Sequence, residues 1–204
     1  MDWIIEHSTW LAASLALLVL FAIMRRRARA RTPKPTMEAR LQADAAIPLR
    51  RWIQAACMLV TRNCDYGHLG PGEARRMLHR WWHVHGPRDL HNTLDELAHS
   101  PHPDNAWELL RYLVVTRLGV AAGMIPEHDG WQAAAPIARR LQRAYDGWPE
   151  MAQAYVQARR QWRTLPLDGS EDDDAMRWVV DNLHTLRADL WAKIPFDLDL
   201  ESDA

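Results

Sequence analysis

Cysteine, phenylalanine and lysine are scarce in this chain of 204 residues, and each shortage narrows what it can be. Two cysteines cannot staple a scaffold of this size. Cys57 and Cys64 lie seven apart in an apolar stretch without CxxC spacing, so two buried thiols in a reducing compartment are expected. Two Phe stand against eleven Trp. Each indole brings a large apolar surface and one N–H that needs an acceptor, so the core must be arranged around polar partners. Lysine occurs only at Lys34 and Lys193, which leaves arginine as the working base and marks a GC-rich coding composition. Charge of one sign is also missing: 25 basic and 26 acidic residues give a net charge of -1, and no nucleic-acid partner is expected of the chain as a whole. Runs of alternating β-branched residues are absent, which argues against a sheet. P-loops, GxGxxG turns and serine nucleophile elbows are absent as well, so no cofactor and no catalytic constellation is read. Whether the chain is an enzyme stays open, with the balance towards none.

One long hydrophobic run is present. From Ser8 to Met24 there is no charge, Pro or Gly, and a helix of this length spans about 25 Å, just enough to cross a bilayer. Trp3 and Trp10 lie at one end, and Arg25, Arg26, Arg27, Arg29 and Arg31 crowd the other. The positive end stays in the cytoplasm. A cleavable signal would carry its positive charge before the run, whereas Asp2 and Glu6 precede it here. The reading is a single-pass anchor at the bacterial inner membrane over residues 1–28, contacting lipid through 8–24, with a periplasmic N-terminus and a basic cytoplasmic flank. Residues 29–36, with Pro33 and Pro35, form a linker. Residues 37–204 form a cytoplasmic helical domain.

The expected fold is all-α: the anchor followed by a compact orthogonal helical bundle. Leu49, Trp52, Ile53, Ala56, Cys57 and Val60 recur at three and four residues after Pro48, which suits a first helical turn. Ala74, Met77, Leu78 and Trp81 mark a second helix, opened by Pro71 and closed near Gly86-Pro87, and Leu90, Leu94 and Leu97 mark a third. Ala106 to Ile125 is apolar nearly all round, as in the buried central helix of a bundle. Arg111 and Arg117 near its middle exclude it as a second membrane span. Gly119 and Gly123 permit close helix approach. Pro126 and Pro136 are read as starting two shorter helices, the second carrying Ile137 and Leu141. Trp148, Met151, Tyr155, Ala158 and Trp162 form the clearest single-face stripe, and Val179, Leu183, Leu186 and Leu190 repeat it after the acidic loop Asp168 to Asp174.

Histidines gather at 79, 83, 85, 91, 99 and 102, and His79 and His83 share a helical face. They are weak zinc candidates, since Arg80 stands where HExxH needs its Glu and a third ligand is not evident. No metal is assigned. Glu108 and Arg111, three apart, can meet, and a buried Arg needs a partner; Arg117, on another face, needs its own. With Trp148, Tyr155, Arg159 and Trp162 they make either a substrate or anion pocket or a structural polar network. Asp172, Asp173 and Asp174 lack the order of a calcium loop and suit the start of the last helix.

The succession Ala106-Trp107-Glu108-x-x-Arg111, Arg117-x-Gly119-x-Ala121-Ala122-Gly123-x-Ile125, Trp131, Gln142, Tyr145, Trp148, Tyr155 and Arg159-x-x-Trp162 resembles the bacterial family called domain of unknown function 1266. Trp82-x-Val84, Asp89-Leu90, Leu94 and Leu97 look like its preceding helix, and Trp191 to Phe196 like its closing segment, so the likeness covers about residues 50–196. Ala98-His99-Ser100 and Ala158 depart from the family's Gly-His-Arg and Gly. The resemblance implies a compact helical domain and supplies no reaction. Two functions are expected to compete. One is a membrane-anchored module that docks a protein partner, such as an adaptor or an immunity protein linked to a toxin or secretion system. The other is an enzyme or small-ligand sensor built on the Arg/Glu/Tyr/Trp pocket.

Overall fold

A computed structural model describes residues 46–61, 67, 69–100, 104–162, 181, 183 and 191–201, without the side chain of Trp162. All belong to the second of the chain's two units, Arg40–Ala204. The anchor read at 8–24, the linker at 29–36, Cys64, His102, the acidic loop and the stripe residues Val179, Leu186 and Leu190 lie outside the described residues. Six helices are described: α1 (Pro48–Cys57), α2 (Pro71–Trp82), α3 (Pro87–Ala98), α4 (Ala106–Ala121), α5 (Glu127–Ala144) and α6 (Trp148–Trp162). No strand occurs among the described residues. Nor is any described helix, α4 included, long and apolar enough to cross a membrane.

Proline places the starts. Pro48, Pro71 and Pro87 open α1, α2 and α3, where the missing N–H costs nothing and the fixed φ is already helical. Asn105 starts α4 by accepting the Trp107 N–H on its side-chain oxygen at 2.9 Å. The central-helix reading is right: α4 is buried on nearly every face and packs against α1, α2, α3, α5 and α6. Gly119 admits Leu90 and Ile125, because a Cβ there would collide with the Leu90 side chain. Gly123 does different work from the one expected. It takes φ +71 just beyond α4, and Met124 N–H returns to the Gly119 carbonyl at 2.9 Å, so Gly123 ends the helix. The glycine that brings a neighbour close is Gly130 of α5, whose missing Cβ makes room for Val120.

Two expectations need correcting. The helix expected to close near Gly86 ends at Trp82, because His83 takes a left-handed conformation (φ 52) and Val84 turns back, its N–H on the Leu78 carbonyl and its side chain buried. Pro136 does not start a helix but sits inside α5. It removes the N–H that would pair with the Gln132 carbonyl, a penalty of about 3 kcal/mol in a helix interior. Burial of Trp131, Ala134, Ala135, Ile137, Ala138 and Leu141 on one face offsets that penalty and carries the helix through.

The tryptophans close the bundle. Trp148 stacks between Trp52 (5.0 Å) and Trp191 (5.5 Å), with Phe196 edge-on at 4.9 Å. Their N–H groups donate to carbonyls of Phe196 (Trp52), Ile194 (Trp148) and Ala55 (Trp191), and Gln142 donates to Phe196 and Leu198. Segment 191–201 is thus held by side-chain donors to its backbone.

Tyr145 ties the end of α5 to the start of α4. Its hydroxyl donates to the Asp104 carbonyl and accepts the Ala106 N–H at 3.1 Å. Burial pushes its pKa above the usual tyrosine value, and the Asp104 and Glu150 charges add to this while the Ala106 N–H opposes it. Burial, with Asp95, likewise raises Tyr112. A raised folded pKa means the native state holds these protons more tightly than the unfolded chain. Their contribution is therefore complete below about pH 10 and is lost as pH rises through the folded values. Urea midpoints measured from about pH 8 to 11 should fall at the alkaline end. Tyr145→Phe should lower stability by about 1 kcal/mol at neutral pH and flatten that fall; an unchanged alkaline slope would remove Tyr145 as its source.

Candidate functional site

Of the residues singled out from sequence, four converge. Glu108 and Arg111 on α4 meet Tyr155 and Arg159 on α6, and tryptophan rings organise them. The Arg111 guanidinium lies over Trp82 at 4.5 Å and over Trp107 at 5.0 Å, while Arg159 lies over the same Trp107 at 5.1 Å. Trp107 in turn packs on Tyr155 at 5.3 Å, and Arg159 reaches the Tyr155 hydroxyl at 3.5 Å. Arginine stacks well on indole because its planar cation is weakly hydrated. Burial lowers the Arg111 pKa; Glu108 and Tyr155 oppose that through space, and Arg159 reinforces it. Glu108 thus acts on Arg111 electrostatically, and its Oε2 is buried with no hydrogen-bond partner.

Arg117 and Trp148 do not join it. Arg117, 1% exposed, lies 3.6 Å over the Trp131 ring, in space kept open by Gly67, where a Cβ would collide with the guanidinium. Trp148 belongs to the tryptophan stack beneath segment 191–201. Trp162 ends α6, and its side chain lies outside the described residues. His79 packs edge-on against His85 at 4.5 Å, and His83 is spent on the turn after α2. Among the described residues, no group of three or more His, Cys, Asp or Glu could hold a metal ion.

The exposed face of α2 went unread. Trp81, expected in the core stripe, is 55% exposed, the one large exposed hydrophobic among the described residues. Spacing could not foresee this, since positions three and four after Leu78 both return to the core side; Trp82 is the ring that takes the inward place, against Arg111. Elsewhere on α2, exposed Arg76, His79, Arg80 and His83 line a shallow groove of about 560 Å3 with Arg75, which also caps α4 through the Ala122 carbonyl at 3.0 Å; Trp81 is not part of its lining. The only acid on α2 is Glu73 in its first turn. A cleft of about 420 Å3 beside the start of α4 is lined by Asp104, Tyr145, Gln157 and Gln161 and not by the Arg111 group.

A family model described as Protein of unknown function (DUF1266) matches residues 104–196, from the start of α4 to the closing segment; the likeness seen at 50–103 lies outside the match. No curated protein and no solved structure matches the chain.

Proposed function

Because residues 104–196 match the model of the DUF1266 family, whose description assigns no reaction, we propose from the chain's own geometry that it is a non-enzymatic binding module. It is tethered to the cytoplasmic face of a bacterial inner membrane by residues 8–24 and docks a protein partner with an acidic surface through α2. The observation that carries this reading is Trp81, 55% exposed near the C-terminal end of α2, a helix that also carries the exposed Arg76, His79 and Arg80. Trp and Arg are the residues that most often dominate interface energetics, and a cationic rim selects an acidic counterpart. An adaptor or an immunity protein for a toxin or secretion system has this design.

The test is a photo-crosslinker in place of Trp81 in the full chain, in membranes of its host. One discrete protein adduct is expected, lost in the Arg76→Glu/Arg80→Glu variant. Trp81→Ala should then weaken binding of that protein about 30-fold or more while changing stability by less than about 0.5 kcal/mol. Adducts to lipid alone, or binding that ignores Trp81→Ala, overturn the reading.

A second reading, an enzyme or small-ligand sensor at the Glu108, Arg111, Tyr155 and Arg159 group, has one observation in its favour: the buried, unpartnered Oε2 of Glu108 within electrostatic reach of Arg111. Against it, both guanidiniums are already seated on indole rings.

A further inference from the structure

The groove on α2 carries more cationic donors than a single carboxylate can use. Its lining among the described residues is Arg75, Arg76, His79, Arg80 and His83, three guanidiniums and two imidazoles with no carboxylate among them. Counted from Arg75 these positions run i, i+1, i+4, i+5 and i+8, so one face of α2 and its C-cap presents them all. Arg76 and Arg80 stand one turn apart, where like charges weaken a helix. Neither has an ion pair with a described residue, and Glu73, three residues before Arg76 on the same helix, does not bridge to it. An anion seated between them would offset that repulsion.

Part of this set is placed by the fold. Arg75 Nε donates to the Ala122 carbonyl at the end of α4, 3.0 Å away, which fixes its guanidinium at the groove wall. His79 packs edge-on against His85 at 4.5 Å, and the His85 N–H is held by the Asp89 carboxylate at 3.0 Å. Arg76 and Arg80 remain exposed, and side chains one turn apart start only about 5–6 Å from each other, so their two planar forks can converge on one tetrahedral group. The groove is also more open than the cavity of about 320 Å3 between the start of α1 and the middle of α5, which Leu49, Trp131, Ala135 and Pro136 help to line. A small molecule in so shallow a place would keep much of its surface in water, whereas a protein segment covers the groove from above.

We propose that the groove seats a phosphorylated side chain, so that the protein docked by α2 is a phosphoprotein; this rests on the docking reading above. A phosphate monoester brings a charge of about -1.5 to -2 and three acceptor oxygens, enough for several donors from different side chains at once. A carboxylate offers one charge and two oxygens, and leaves most of the five bases without work. Arg76 and Arg80 take the phosphoryl oxygens, with Arg75, His79 and His83 around them, which is the way arginine clusters read phosphorylated motifs.

The experiment is fluorescence anisotropy of a short alanine-glycine peptide carrying one phosphoserine and a neutral dye, titrated with the full-length chain in a non-ionic detergent. A Kd on the order of 100 μM is expected, with the glutamate and unphosphorylated serine peptides at least about tenfold weaker. The Arg76→Gln/Arg80→Gln variant, altered only at exposed positions, should lose about tenfold or more at an unchanged unfolding midpoint. Arg143→Gln, which removes an exposed charge outside the groove, should stay within about twofold. Equal affinity for the glutamate peptide, binding that ignores Arg76 and Arg80, or tighter binding of soluble dihexanoylphosphatidate than of the phosphopeptide overturns the proposal. The docking reading fails separately. If the crosslinker at position 81 still captures its protein after the membranes are treated with a protein phosphatase, docking stands and the phosphate inference falls, while adducts to lipid alone remove both.

Discussion

Trp148→Ala is expected to lower the unfolding free energy by about 3–5 kcal/mol, the range for deleting a large buried aromatic. Trp148 is the centre of the tryptophan stack, touching Trp52, Trp191 and Phe196, and its N–H holds the Ile194 carbonyl at 2.8 Å. Alanine would leave a void that three rings cannot fill by small movements, and would release the closing segment from α6. Trp148→Phe separates the two contributions. It keeps most of the ring area and loses the N–H, so it should be milder, at about 1–2 kcal/mol. Urea denaturation of the full-length chain, followed by circular dichroism, measures both. A loss below about 1 kcal/mol for Trp148→Ala would show that the stack is not the clasp of the domain.

Arg117→Lys is expected to destabilise by about 3 kcal/mol or more, although the charge is kept. The guanidinium carbon lies 3.6 Å over the Trp131 ring in a buried site, where its delocalised charge is tolerated. An ammonium is compact and strongly hydrated, so it would be buried without the stacking. Arg117→Met should do less harm than Arg117→Lys, because an apolar chain of similar length brings no charge to desolvate. Gly67→Ala should also destabilise, since its Cβ collides with the same guanidinium. Combined with Arg117→Met, its effect should shrink, which a double-mutant cycle detects. The reverse order, with lysine better tolerated than methionine, would mean that the charge at this position matters more than the shape.

Much of the fold was legible because helix starts are local. A proline at the first turn, an Asn cap and an apolar recurrence at three and four residues act within one element, so α1, α3, α4 and α6 fall where their patterns put them. Reading two helices around Pro136 failed for the opposite reason: the local preference to break was outweighed by a buried face packed against α4, which no window around Pro136 contains. His83 was invisible in the same way, since a left-handed residue without glycine leaves no compositional mark.

The candidate site divides along the same line. Residue types and helical spacing pick out Glu108, Arg111, Arg117, Trp148, Tyr155 and Arg159, of which Glu108, Arg111, Tyr155 and Arg159 lie together while Arg117 and Trp148 lie elsewhere. Their partners could not be read in the same way. Whether Arg111 pairs with a carboxylate three residues away or lies on rings from α2 and α4 depends on how those helices cross, and so does the segregation of Arg117 to Trp131. The cavity between α1 and α5 left no trace in the order of residues, because its lining comes from segments about 80 residues apart and is joined only by packing.

By itself the sequence determined that the described residues build helices, where most of those helices begin and most of the residues they turn inward, because periodicity and capping are properties of neighbours along the chain. Tertiary structure alone decided which tryptophan faces water, which arginine stacks on which indole and where a space remains for a ligand. Those outcomes depend on which faces meet, and residues distant in sequence compete for the same buried volume.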